Sequence, residues 1–216
     1  IANGLGIKMS QLLNEELPQI RTLSIQDVSK IINVSVEELT KNRPTIINNT
    51  FPYETLTPDQ FEGLIVMLLM YDLKYCDVEH YGGIGDKNRD VIAKEIISGK
   101  RSSKYTLFQV KRHANIRYDT FKNELDSINK HFFEDPNPST PIRDIVFCIS
   151  SDVSSQIRDR VRDYAKLLNI PNPSFWFKGH SLDSRCKMYP EVIKTFYNGN
   201  ITLILKDTEE IKESVK

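Results

Sequence analysis

In MSQLLNEEL and again in SIQDVSKIINVSVEELTKN, apolar residues return every three or four positions with polar ones between them, a helical rhythm without β-type alternation. Residues 1–50 are therefore expected to form a helical N-terminal extension of a domain further along the chain. Two short helical patterns joined by Ile32-Asn33-Val34-Ser35 have the outline of a helix-turn-helix. The second must stop by Arg43, ahead of Pro44, which favours a plain helical hairpin.

The next segment carries the clearest boundary signals. Thr57 stands at the N-cap, Pro58 in the first turn and Gln60 at the capping-box position, predicting a helix through about Tyr71. Its body, FEGLIVMLLMY, is apolar nearly all round, so the helix should be buried, and Glu62 is its one charge beyond the first turn. Alternating patterns predict strands at YCDVEHY, DVIAKEII and YTLFQVKRH, with turns at 82–88 and 98–103. Next come an amphipathic helix from about Tyr118 to Phe133, a Pro-rich loop, the apolar strand DIVFCIS, a helix from about Ser155 to Leu168, the strand SFWFKG and a last helix, YPEVIKTFY. This order describes an α/β domain over 51–205, with a charged tail or linker at 206–216. In SFWFKG, alternation sets only Trp176 opposite Phe175 and Phe177, which suits a core strand better than a base-stacking platform.

Composition changes this picture little until it is read locally. An apolar fraction of 39% supports a sizeable core, and the formal net charge is zero. Residues 87–117, however, hold nine lysines and arginines against Asp90 and Glu95, a surplus of seven that would attract polyanions. Just before them, residues 53–79 hold six carboxylates against Lys74 alone. Three cysteines without CxxC spacing indicate neither a zinc site nor a disulfide framework, so a reducing, cytoplasmic setting is expected. The longest apolar run, 64–70, is far short of the roughly 18 residues that span a bilayer, and no membrane association is expected. The first residue is Ile rather than Met, which suggests a trimmed or excised segment of a longer protein.

Candidate chemistry gathers at the second and third strands. Side chains alternate along a strand, so Gln109 and Lys111 share one face and Phe108 and Val110 the other. With the apolar pair in the core, the polar pair is expected to line a cleft. Asp90 opens the preceding strand, and hairpin pairing can bring it to Gln109 and Lys111 across the SGKRSSK loop. A hard cation such as Mg²⁺, for which Mn²⁺ can substitute, needs only one or two carboxylates with carbonyl oxygens and water. Asp90 is the obvious anionic ligand; Gln109 can offer its amide oxygen, Val110 its backbone carbonyl and Glu62 a second carboxylate. Lys111 suits an electrostatic role beside the metal, offsetting charge on a phosphate. Lys87, Arg89, Lys100, Arg101, Lys104, Arg112, His113 and Arg117 are the candidate phosphate contacts. The four histidines lie at unrelated spacings and do not suggest a histidine metal site.

FEGLIVMLL, then GGIGDKNRDVIA, then FQVKR resembles the Mrr-type branch of the PD-(D/E)XK nucleases, the restriction-endonuclease-like superfamily, over about Thr57 to Tyr197. In that branch a glutamine commonly precedes the lysine, as Gln109 does here. The resemblance implies a central mixed β-sheet flanked by helices and a metal-dependent DNA endonuclease of restriction or anti-phage defence, acting on duplex DNA and switched on by a regulatory partner or by homo-oligomerisation. It further implies Asp90 as the central ligand, Gln109 and Lys111 as the QxK pair and Glu62 as the helix carboxylate, with Asp86 a weaker candidate. Where related sequences read GDKGRD, Asn88 replaces a glycine. The alternative is a catalytically inactive nucleic-acid-binding or scaffold module on the same fold, with the N-terminal helices as a true helix-turn-helix.

Overall fold

The structure is a computed structural model that describes residues 24–46, 51–81, 90–134 and 140–198. Asp86, Lys87, Asn88, Arg89 and the charged C-terminal tail lie outside the described residues. The chain forms α1 (Ile25–Ile32), α2 (Val36–Thr40), a 3₁₀ turn (Tyr53–Thr55), α3 (Pro58–Tyr71), β1 (Tyr75–His80), β2 (Val91–Ile97), β3 (Lys100–Lys111), α4 (Tyr118–Ile128), β4 (Ile142–Ile149), α5 (Ser155–Leu167), β5 (Ser174–Phe177), α6 (Ser181–Met188) and α7 (Pro190–Phe196).

The five strands lie in the sheet in chain order. β1, β2 and β3 form an antiparallel meander, and β4 and β5 continue the sheet parallel to β3. The change of direction follows from connection length. Ser98 and Gly99, both at positive φ (51° and 75°), make the two-residue turn that joins β2 to β3. The β3–β4 and β4–β5 connections instead cross over through α4 and α5. That tight turn corrects one expectation: Lys100, Arg101 and Lys104 are not in a loop but in the first half of a twelve-residue strand.

Alternation along the strands divides the core into two layers. Val91, Ala93, Phe108, Val110, Val146, Cys148 and Trp176 face α3, α6 and α7. Ile92, Leu107, Phe147, Ile149, Phe175 and Phe177 face α4 and α5. Both faces are therefore buried, which overturns the expectation that Gln109 lines a cleft. Gln109 alternates onto the α4 face and is fully buried, and only Lys111, at the strand's end, reaches open space.

α3 begins and ends where its signals place it. Thr57 Oγ1 accepts the Gln60 amide at 3.2 Å, and Gln60 Oε1 accepts the Thr57 amide at 2.9 Å. Gln60 does more than close its own cap: its Nε2 donates to the carbonyls of Leu39 (3.3 Å) and Lys41 (2.7 Å) at the end of α2. Val28, Ile32 and Leu39 enter the same core layer as α3, and a Cβ on Gly63 would meet Leu39 Cδ2 at 3.1 Å and Ile32 Cδ1 at 3.3 Å. The N-terminal helices thus pack into the domain. α2 has five residues, and Glu37 and Glu38 are its exposed charges, a poor element for entering a groove lined by phosphates. α6 is a helix the pattern does not announce, and the amphipathic helix at 118–133 closes in a π turn over Asn129–Phe133. No helix among the described residues is long and apolar enough to cross a membrane.

Candidate functional site

The β2–β3 register fixes the centre of the site. Val91 pairs with Phe108, which sets Asp90 across from Gln109 at the mouth of the hairpin. The Tyr81 amide donates to the Asp90 carbonyl at 2.9 Å and pins that backbone. From there the Asp90 side chain reaches along β3: its Oδ2 accepts the Val110 amide at 2.7 Å and lies 3.5 Å from Lys111 Nζ. Both contacts fall on Oδ2, so among the described residues Oδ1 is not engaged.

Lys111 has a nearer partner. Glu124, on α4, places Oε1 3.0 Å from the ammonium, and all three side chains are mostly buried (17–18% exposed). Burial pushes the Asp90 carboxyl up to about 6; Lys111 and the Val110 amide hold it down, and Glu62 and Glu124 add to the rise. Burial pulls the Lys111 ammonium down, but Asp90 and Glu124 outweigh it and raise the group above the ordinary lysine value. Lys111 is therefore a fixed positive charge, as expected.

Glu62 approaches from the opposite layer, on the first turns of α3. Its Oε2 is 2.9 Å from Nε2 of His80, the last residue of β1, whose side chain is only 8% exposed. The charge on an otherwise apolar helix thus has its explanation in a partner on the neighbouring strand. An open cleft of about 140 Å³ lies between α3 and the end of β3, lined by Pro58, Phe61 and Glu62 on one side and by Val110, Lys111, Arg112 and His113 on the other. Arg112 and His113 are exposed at its rim, Arg117 is exposed further along the chain ahead of α4, and Arg112 Nη1 donates to the Glu54 carbonyl at 3.1 Å.

The structure therefore brings together Asp90, Lys111, Glu62 and the backbone of Val110, with Arg112 and His113 beside them. It does not bring Lys100, Arg101 and Lys104 there. At about 3.4 Å per residue Lys104 lies about 24 Å along the strand from Lys111. Two residues of the site escaped the sequence reading. His80 carried a usable signal, standing two residues after Val78, which packs in the α3 layer. Glu124 stands between the buried Phe121 and Leu125, on the flank of the helix's apolar face.

Among the described residues no three side chains of His, Cys, Asp or Glu converge closely enough to hold a metal ion. The donors that do approach, Asp90 and Glu62 carboxylates with the Val110 carbonyl, are hard oxygens. Comparison of the chain with protein-family models, with curated proteins and with solved structures finds no match.

Proposed function

We propose that this chain is a nuclease domain that hydrolyses phosphodiester bonds of DNA with the help of Mg²⁺ or Mn²⁺, on a restriction-endonuclease-like core. The observation that carries the reading is the Asp90 carboxylate, drawn into a buried position by the Val110 amide, with an ammonium beside it and a second carboxylate facing it from α3. A carboxyl perturbed by burial beside a specific charged partner is a candidate for function.

The donor set fits a hard divalent cation, which tolerates two carboxylates when water and substrate phosphate complete its shell. Asp90 through Oδ1, Glu62 and the Val110 carbonyl are the groups that would hold it; Gln109 shares the sheet face of Asp90 and Lys111 but is fully buried there. When bound, the ion supplies Lewis-acid charge at the phosphate and makes water a usable nucleophile near neutral pH. The chain's own residues do the remainder. Lys111 sets a permanent positive charge where negative charge grows on the phosphorus oxygens, in a site whose partial burial strengthens that interaction. Arg112, His113 and Arg117 hold the backbone on either side without reading sequence. Duplex DNA, a regulatory partner and a role in restriction or anti-phage defence belong to the same proposal.

A non-catalytic binding module on this fold is the second reading, favoured by the burial of Gln109, which leaves the cleft one ligand short of the set that the resemblance implies. The acidic surface of α2 counts against its helix-turn-helix form. Conversion of supercoiled plasmid to nicked or linear DNA, with Mg²⁺, Mn²⁺ or chelator, decides between them. Metal-dependent cutting lost in Lys111→Ala supports the nuclease. Salt-sensitive binding that ignores Mg²⁺, without cutting, supports the module.

A further inference from the structure

Lys111 ends its strand on a flexible four-carbon stem, and the next two residues, Arg112 and His113, are exposed. Such a side chain samples many rotamers unless something holds it. Asp90 alone is a loose tether, because its Oδ2 is 3.5 Å from the ammonium and takes its short bond from the Val110 amide at 2.7 Å. The hydrogen-bond-length partner of the ammonium is Glu124 Oε1, at 3.0 Å. Glu124 is in turn rigidly mounted. Its neighbours Phe121 and Leu125 are wholly buried, and Phe121 meets Phe147 and Phe175 edge to face, at 5.0 and 5.7 Å between ring centroids.

We propose that Glu124 is a positioning residue, which holds the Lys111 ammonium at the cleft so that it meets the scissile phosphate already oriented. The proposal rests on the nuclease reading for its catalytic consequence, but the clamp itself is a statement about Lys111 alone. Glu124 carries no bond to substrate; it acts through the lysine. A purely electrostatic part for this carboxylate has the opposite sign, since removing a negative charge beside a phosphate path strengthens binding and transition-state stabilisation together.

The test compares Glu124→Ala and Glu124→Gln with the wild-type full chain, using two readouts. The first is ¹³Cε relaxation of Lys111 in lysine-labelled protein without DNA or metal, assigned by Lys111→Arg. Lys111 is expected to be as restricted as buried methylene groups in the wild type, mobile in Glu124→Ala, and largely restricted in Glu124→Gln, whose amide oxygen still accepts from the ammonium. The second is steady-state cleavage, in which kcat falls about a hundredfold in Glu124→Ala, KM for DNA is unchanged or lower, and Glu124→Gln recovers most of the loss. Lys111 equally ordered in Glu124→Ala, or an unchanged kcat once it is mobile, overturns the proposal. So do Ala and Gln variants that behave alike, because charge rather than placement then accounts for the effect. A wild type inert with every metal, in which Glu124→Ala nevertheless releases Lys111, leaves the clamp standing and removes the nuclease reading instead.

Discussion

At its first residues strand β3 presents Lys100, Arg101 and Lys104 to solvent, whereas its last residue, Lys111, is sunk between Asp90 and Glu124. Around the outer end the ion pairs are of two kinds: Arg101 meets Asp77 at the surface, with Lys94 3.7 Å from the same carboxylate, and Lys74 and Arg143 hold the buried Glu95 at 3.3 and 2.6 Å. Burial pushes Glu95 up, but Arg143 and Lys74 outweigh it and hold the carboxyl below its usual range. At the inner end burial wins, and Asp90 rises despite its lysine. Charge of one kind, within one twelve-residue strand, thus serves solubility and folding at one end and is kept under tension at the other. A local surplus in the sequence does not distinguish these two uses; the register does.

The sharpest way to test that contrast is to remove one lysine from each end. Lys111→Ala is expected to lower plasmid cleavage about 10²–10³-fold, the usual loss when one preorganised charge is taken from a transition state. Lys104→Ala is expected to change it less than about twofold, as surface substitutions do. Equal effects at both ends would erase the distinction between them.

The His80 contact offers a second, smaller break. His80→Ala removes the partner that holds the Glu62 carboxylate toward β1, and outer partners of this kind are worth about 10–100-fold in metal affinity. Mn²⁺ binding followed by electron paramagnetic resonance, without DNA, reads this directly. Affinity unchanged in His80→Ala would show that Glu62 is not held for a metal.

These residues also mark how far the sequence could be read. The α3 boundaries were legible because capping is local: Thr57, Pro58 and Gln60 act within one turn. The split of β5 between two core layers and the proximity of Asp90 to Lys111 came from alternation and hairpin length. Three features were not legible. The turn is only Ser98 and Gly99, so β3 takes up residues that the pattern assigned to a loop, and Gln109, which alternation alone leaves open to a cleft, is fully buried. The Lys111–Glu124 and Glu62–His80 pairs join residues 13 and 18 positions apart on different elements, and only packing decides them.

Strain at the inner end makes a stability prediction. A carboxyl raised to about 6 from its unfolded value near 4 binds its proton more tightly in the folded chain. The unfolded chain therefore loses protons first as pH climbs. Stability from this group is fully present below about pH 4 and is lost as pH rises through about 6. Asp90→Asn keeps an oxygen for the Val110 amide and removes the buried charge, while giving up the Lys111 pairing. It is expected to stabilise the chain by about 1–2 kcal/mol at pH 7.5 in chelator, and to give no gain at pH 4.5. Urea unfolding at the two pH values checks this; destabilisation of equal size at both would mean that the carboxylate is not under tension.

The smallest effect belongs at the outer end. Arg101 is 59% exposed, and Asp77, at positive φ (49°) in the β1 bulge, retains Lys94 when Arg101 is removed. Arg101→Ala should therefore cost less than about 1 kcal/mol, as exposed ion pairs generally do, and move the melting temperature by no more than about 4 °C. Its effect on DNA binding is the more telling quantity. If the outer end serves the fold alone, the slope of log affinity against log salt is unchanged. A slope shallower by about one would mean that Arg101 meets a phosphate. The DNA path would then run the length of β3, and the two ends would differ in chemistry while sharing one substrate.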